Sequence, residues 1–346
     1  MAPSASKALV TRVSGGKASL HLGDIAPLTV APHQVLFRVK SVAQTPTDAN
    51  AKLSSKFRLA FGEKVVLGCD YVGIVEKLGD SVTSLKIGDR IGVDMGRRDY
   101  RAPNGVSSND ASTVPLAAAT AWPALYSETC LSISRSRKNP TPVPVWGGSF
   151  SPSQNEAHIL VASVGTYTIQ LARKYSIPVV TVRSPTHFEL CKTLGATHVF
   201  DYHDEDVLSK IKTVASNIEH VFDCVGSDIS SSTASQAVCQ KGGVLCTVRP
   251  VKRFTDNVEL RVKVTDVLVW TVFLKDHQYK EFEWPASEAD HNLGIKLFHA
   301  IPKWLEDRTL KTNTSKVVPG RLSGVEEGFQ MHRDGKISGC KLVYEL

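Results

Sequence analysis

Val145-Trp146-Gly147-Gly148-Ser149, resumed beyond residues 150–161 by Ala162-Ser163-Val164-Gly165-Thr166-Tyr167-Thr168-Ile169-Gln170-Leu171-Ala172, is the stretch that decides the fold. Joined across the gap, it is an apolar strand running through a Gly/Ser turn into an amphipathic helix. A dinucleotide pyrophosphate needs that order: glycines let backbone N–H groups approach the phosphates, and the helix N-terminus offsets their charge. The turn is split, however, by the twelve residues from Phe150 to Val161. Val143–Trp146 and His158–Ala162 therefore compete for one first-strand slot. Contiguity of strand, turn and helix favours His158–Ala162, with Ser163-Val164-Gly165 as the turn. That register takes Gly147 and Gly148 away from the pyrophosphate, and either register weakens nucleotide affinity.

Downstream the rhythm is strand, helix, strand. Helices are expected at Val164–Tyr175, His187–Leu194, Val207–Ala215 and Thr233–Cys239. Strands are expected at Pro178–Val182, Thr197–Tyr202, His220–Val225 and Gly242–Val248. Apolar strands alternating with helices predict a parallel sheet covered on both faces. Upstream, Ala8–Val10, Gln34–Lys40, Tyr71–Gly79 and Ile91–Val93 are short β-like runs between Gly, Pro and Asp turns, which predicts a compact antiparallel barrel-like domain. Leu116–Leu125 is Ala-rich and helical, and the Ser/Arg/Pro-rich segment Ser132–Pro144 marks a domain boundary. A helix at His291–Leu305 and a last strand at Lys341–Tyr344 complete the pattern. The expected division is 1–142, 143–270 and 271–346, the last part returning to the first domain.

The 346 residues carry 41 Lys+Arg against 34 Asp+Glu, a net charge of +7. The cations are spread along the chain, the densest run being Arg135-Ser136-Arg137-Lys138, and no basic stripe with interleaved aromatics points to nucleic acid. The 7 cysteines are scattered and odd in number, with no Cys-x-x-Cys pair, which argues against a disulfide framework or a structural zinc site. There is no apolar leader and no run of membrane-spanning length. A cytoplasmic protein is expected, without membrane or nucleic-acid partners.

Several motifs in order carry a family resemblance. They are Gln44-Thr45-Pro46-Thr47-Asp48, Leu67-Gly68-Cys69-Asp70-Tyr71-Val72-Gly73-Ile74-Val75 and Gly88-Asp89-Arg90, then Pro115-Leu116-Ala117 to Thr120-Ala121. Thr193-Leu194-Gly195-Ala196 to Asp201-Tyr202 and Gly335–Tyr344 follow. With them the chain resembles the zinc-independent medium-chain dehydrogenase/reductases over nearly its whole length, and is most similar to fungal enoyl reductases that act in trans on polyketide synthases. The resemblance implies an α/β fold: a GroES-like β-barrel domain plus a Rossmann-type doubly wound parallel sheet. Zinc-dependent relatives place Cys in a Cys-x-Thr-Asp motif and His in a Gly-His-Glu motif. Thr45 and Cys69-Asp70 stand there instead, so no three-ligand catalytic zinc is expected. Without a Lewis acid, hydride addition to a polarised C=C bond is favoured over alcohol oxidation.

Cofactor choice turns on the end of the second nucleotide-domain strand, where a carboxylate would grip the ribose of NAD. Val182-Arg183-Ser184-Pro185-Thr186-His187 has none, and its cation and hydroxyls suit the 2′-phosphate of NADPH. The resemblance adds Tyr202 beside the adenosine phosphate. The candidate cofactor-binding residues are thus Gly147, Gly148, Ser163, Val164, Gly165, Arg183, Ser184, His187 and Tyr202. Related enzymes hold the substrate carbonyl near an Asn-Pro-x-Asp-x-Lys segment and a helical Thr. Here these imply Asp48, Asn50 at the lysine position, Lys52 two residues on, and Thr120. Asn50 can donate to an enolate oxygen but cannot act as an ammonium donor.

The implied function is NADPH-dependent reduction of an enone or enoyl thioester, small or tethered to an acyl carrier, with a polyketide synthase as candidate partner. The chain is expected to be a monomer or homodimer. A small-molecule quinone or enone reductase is the alternative enzyme. A non-catalytic binding protein is the alternative of another class, since the split turn, Asn50 and a short segment between Gly92 and Ser112 depart from the family pattern. That shortening predicts a missing barrel strand and an unpaired edge.

Overall fold

A computed structural model describes residues 6–14, 17–46, 48, 66, 68–94, 98–136, 138–147, 160–279 and 281–346. The chain forms two compact units, residues 1–115 with 312–346, and residues 116–311. The expected boundaries at 142 and 270 differ from this division. Trp122 and Tyr126 explain part of the difference: the Trp122 ring packs edge-on against Tyr126 and tilted against Tyr175 and Trp304, and Nε1–H donates to the Leu293 carbonyl, all within the second unit.

The first unit opens with an antiparallel hairpin of β1 (Ser6–Ser14) and β2 (Lys17–Ile25). β3 (Val35–Ala43), β4 (Asp70–Leu78), β5 (Arg90–Asp94) and β6 (Arg98–Arg101) follow as an antiparallel run. Val75, Leu85, Ile91 and Val93 close its core against Val35, Phe37 and Leu78. The segment after Gly92 is not without a strand, contrary to expectation. Arg98-Asp99-Tyr100-Arg101 pairs along β5, and the buried Tyr100 hydroxyl donates to the Ala111 carbonyl at 2.7 Å. Its charged residues hid the strand, because edge pairing uses the backbone and needs one inward aromatic only. Helix α1 (Ser108–Ser112) is capped by the Ser107 side chain.

The second unit begins with α2 (Pro115–Tyr126). Then β7 (Val143–Trp146), α3 (Leu160–Lys174), β8 (Val179–Arg183), α4 (Phe188–Leu194), β9 (His198–Asp201) and α5 (Val207–Val214) alternate. β10 (His220–Asp223), α6 (Asp228–Gln236), β11 (Gly243–Thr247) and β12 (Val262–Asp266) complete a parallel sheet in the order β12-β11-β10-β7-β8-β9. Every residue of β7 and β8 is buried, as a sheet covered on both faces requires. Gly195 ends α4 in the left-handed region, φ 111°, which a side chain rarely adopts. A hairpin of β13 (His277–Tyr279) and β14 (Phe282–Trp284) precedes α7 (Glu288–Glu306).

The first-strand expectation is overturned. Val143–Trp146 takes the slot, with its register set by Val143↔Val179 through Trp146↔Val182. Leu160, Val161 and Ala162 form the first turn of α3, so Ser163-Val164-Gly165 lie inside that helix rather than in the turn before it. The chain then returns to the first unit through β15 (Ser315–Val317), α8 (Val325–Arg333) and β16 (Lys341–Glu345), giving the order β15-β16-β3-β4-β5-β6. No described helix is long and apolar enough to cross a membrane.

Candidate active site

In the parallel sheet the first strand, β7, has β10 on one side and β8 on the other, so chain direction across the sheet reverses beside it. Such a switch point opens a crevice at the carboxyl ends of the strands, where dinucleotides bind. Gly147 lies there, its N–H bonded to the Val182 carbonyl at 3.2 Å. Gly148 lies outside the described residues. On the other side of the crevice, Asp223 ends β10 fully buried. It accepts from the N–H groups of Val225 and Gly226 at 2.9 and 3.0 Å and from the hydroxyls of Ser230 and Ser231 at 2.8 and 2.7 Å. Burial raises its pKa, although these four donors pull the other way. Ser227 and Ser230 form a reciprocal cap on α6. Together they fix the loop Cys224–Ser227, in which Gly226 takes φ +67°. The sequence carried a signal for this anchor: an Asp at a strand end followed by Ser-x-x-Ser.

The end of β8 divides its groups. Ser184 and Thr186 stay near the surface with their hydroxyls 3.1 Å apart, and His187 follows, half-buried. Burial and the neighbouring Arg183 lower the His187 pKa. Tyr202 stands just past β9, whose Asp201 pairs in register with Arg183. Arg183 behaves otherwise. Its side chain is buried, and Nη1 donates to the Gly147 carbonyl at 3.2 Å, beside Gly165. Burial lowers its pKa, yet a guanidinium stays charged. The structure therefore groups Arg183 with Gly147 and Gly165, and leaves Ser184, His187 and Tyr202 as the outer set.

In the first unit, Asp48 is buried beneath the Thr45 turn. Its Oδ2 accepts from the Thr45 N–H at 2.7 Å and the Thr45 hydroxyl at 2.8 Å, while the Cys69 thiol points to Oδ1 at 3.7 Å. Burial raises the Asp48 pKa to about 6, the Thr45 donors opposing. Asp70 and Asp94 face each other across β4 and β5. Asp70 is paired with the Lys341 ammonium, both buried. Asp94 has neither carboxylate oxygen hydrogen-bonded among the described residues, and burial beside Asp70 raises its pKa strongly. Asn50 and Lys52 lie outside the described residues. In the second unit the half-buried Thr120 gives its hydroxyl proton to the Leu116 carbonyl at 2.8 Å.

A sheet with this switch point and a mainly antiparallel partner unit define a medium-chain dehydrogenase/reductase. Comparison with known families agrees: residues 31–129 match the alcohol dehydrogenase GroES-like domain, and residues 163–262 match the zinc-binding dehydrogenase family. The chain belongs to the medium-chain dehydrogenase/reductases, in their fungal enoyl-reductase-like branch. It is 29% identical to a trans-enoyl reductase of Alternaria alternata, across 98% of both chains. It is 28% identical to the enoyl reductase component of the lovastatin nonaketide synthase of Aspergillus terreus, over 93% of this chain and 92% of that one. Among solved structures, a putative zinc-dependent alcohol dehydrogenase of Rhizobium etli superposes with TM-score 0.75 at 20% identity, covering 98% of each chain. An Escherichia coli quinone oxidoreductase complexed with NADPH does so with TM-score 0.69 at 15% identity, covering 98% of this chain and 100% of that one.

The residues do not fit the zinc that the second family description names. Thr45 is a hydroxyl engaged with Asp48, burial raises the Cys69 thiol pKa well above its usual value, and Asp70 already holds the Lys341 cation. A nicotinamide cofactor does fit. The crevice has Gly147 on one side and the tethered Cys224–Ser227 loop on the other, and the end of β8 carries no carboxylate.

Proposed function

We propose that the chain is an NADPH-dependent reductase of an activated C=C bond, acting in trans on enoyl chains built by a fungal polyketide synthase. The observation that carries this is the switch-point crevice with hydroxyls rather than a carboxylate at the end of β8. Its weight comes from two full-length relatives named as a trans-enoyl reductase and as the enoyl reductase component of a polyketide synthase. When bound, the nicotinamide supplies hydride to the β-carbon of the enoyl group.

The chain's own residues position the reactants. Ser184, His187 and Tyr202 receive the 2′-phosphate, where a carboxylate would repel it. Arg183 acts one step inward: it holds the Gly147 carbonyl and places positive charge behind the pyrophosphate, beside Gly165 in the second turn of α3. Ser163 and Val164, one turn into α3, are set back from that end. Asp48 fixes the turn at Thr45 ahead of Asn50 and Lys52, which donate to the enolate oxygen. The Thr120 hydroxyl turns from Leu116 to the substrate carbonyl. A cytoplasmic setting suits NADPH chemistry and a chain whose described cysteines are all free.

The test is a titration of the purified protein with NADPH and NADH, followed by nicotinamide fluorescence, with turnover of an enoyl thioester followed by loss of reduced nicotinamide. Micromolar NADPH binding and thioester reduction are expected. Binding of neither nucleotide sinks the proposal and leaves the non-catalytic binding protein.

A further inference from the structure

In the densest basic run of the sequence, Arg135 is engaged by aromatic rings. The Arg135 guanidinium lies over the rings of Trp122, Tyr126 and Tyr175, 5.3–5.8 Å from each centroid, and is engaged inside its own unit. A second concentration, in the loop that leaves β11, differs. Arg249, Lys252 and Arg253 fall within five residues, with Lys252 and Arg253 exposed. The Arg253 and Arg249 guanidinium carbons lie 5.2 and 6.0 Å from the ring of Phe254, which is itself 39% exposed.

This loop is held in one path. Val251, Lys252 and Phe254 have φ of 59°, 52° and 63°, in the left-handed region where such side chains are rare. Two bonds retain it: the Val251 N–H donates to Asp266 Oδ2 at 2.9 Å, and Arg249 Nε donates to the Gly226 carbonyl at 3.0 Å. The second joins it to the loop after β10, so the cations stand at the carboxyl ends of two adjacent strands, at the rim of the cofactor crevice. Strain of this kind persists only where surrounding bonds over-determine it. Here those bonds hold two exposed cations and an aromatic face at the mouth of a site.

We infer that Lys252, Arg253 and Phe254 form a docking strap for the phosphate of a phosphopantetheine arm that carries the enoyl thioester. The inference rests on the proposed enoyl-reductase function. A phosphodiester complements paired cations by charge-assisted hydrogen bonds, and the gem-dimethyl group next to it in the pantetheine arm complements an aromatic face. The acidic groups in the same stretch leave the cations in excess. Asp266 accepts from Val251 and lies within electrostatic reach of Lys252, Glu259 pairs with Arg261, and Asp256 stands near in sequence, so in this stretch Arg249, Lys252 and Arg253 face only Asp256 and Asp266. The phosphate is shared by coenzyme A thioesters and carrier-protein thioesters, and the strap reads it in both.

The experiment compares the crotonyl thioesters of N-acetylcysteamine, pantetheine, 4′-phosphopantetheine, coenzyme A and an acyl carrier protein on wild type and on the double variant K252E/R253E. Expected is a KM raised about tenfold for the phosphorylated substrates, with kcat kept and with KM for N-acetylcysteamine and pantetheine thioesters within twofold of wild type. A rise confined to the carrier protein identifies protein–protein charge pairing and overturns the phosphate assignment. An equal rise for all substrates, or none, overturns the strap. Equilibrium binding of crotonyl-phosphopantetheine and crotonyl-pantetheine needs no turnover and separates this inference from the reductase proposal. Tighter binding of the phosphorylated arm, lost in the variant, supports the strap even where no hydride moves, whereas equal binding overturns it.

Discussion

Arg183 and Gly147 join the carboxyl ends of the first two strands of the parallel sheet: Nη1 of one donates to the carbonyl oxygen of the other at 3.2 Å. The guanidinium is therefore drawn toward the pyrophosphate end of the crevice and away from the outer rim of β8. Removing it should act on whatever the two nicotinamide dinucleotides share. Arg183→Met is expected to weaken NADPH and NADH by a similar factor, about tenfold, or ~1.4 kcal/mol. A buried hydrogen bond from a charged donor is worth ~1.5–3 kcal/mol, so thermal stability should fall as well. Nicotinamide fluorescence titrations of both nucleotides check this. Loss of NADPH binding alone would return Arg183 to the 2′-phosphate.

Discrimination between the two nucleotides then falls to the outer set. Ser184 is the first residue past β8, with its hydroxyl toward Thr186. A carboxylate introduced there repels a phosphate and can accept from ribose hydroxyls instead. Ser184→Asp should therefore weaken NADPH at least tenfold and leave NADH unchanged or tighter. Dissociation constants for the two nucleotides measured on one preparation decide it, and a parallel loss of both would place Ser184 outside the recognition of the phosphate.

The parallel half was open to reading because its strands are buried on both faces, so Val179–Val182 and Val221–Phe222 stand out as short, mostly apolar stretches without alternation. β7 was misassigned for a physical reason. Contiguity along the chain favours His158–Ala162, whereas the slot is won by pairing: Val143–Trp146 matches Val179–Val182 residue for residue. Leu160–Ala162 is equally apolar and joins α3 instead, since extending a formed helix fixes one residue per bond gained. The sequence points Arg183 at the 2′-phosphate, because a sequence does not show which carbonyl will receive a long side chain. The acidic pair Asp70 and Asp94 was invisible likewise. The two residues are 24 positions apart in the chain and meet only through antiparallel register.

Asp48 gives a pH prediction. In the folded chain burial raises its pKa to about 6, against ~3.9 for an unfolded aspartate. Between those values the folded state binds a proton that the unfolded state has released, so this group makes stability fall as pH rises from about 4 to about 6. Two pKa units correspond to about 3 kcal/mol. Asp48→Asn should retain acceptance from the Thr45 N–H and hydroxyl through its carbonyl oxygen while removing the titration. Urea unfolding of both proteins at a series of pH values is expected to show a flatter profile for the variant across that window. Superimposable profiles would mean that Asp48 ionises normally.

The last prediction concerns the position where zinc-dependent relatives carry a metal-binding motif. Asp70 is fully buried, faces Asp94 across the strand pair and is neutralised by Lys341 on β16. With an internal cation already on Asp70, dialysis against a chelator should leave both melting temperature and reductase rate unchanged. Removing the ammonium should not be tolerated. Lys341→Met leaves a carboxylate buried without its partner, and breaking such a pair costs about 3–5 kcal/mol. Because Asp94 is poised to hold a proton, the double variant Lys341→Met/Asp70→Asn should recover most of that loss: two neutral side chains replace two charges, and the desolvation cost disappears with them. Denaturant midpoints of wild type, both single variants and the double variant form a cycle. A coupling energy near zero would show that Lys341 stabilises the strand by packing its aliphatic stem and not by pairing with Asp70.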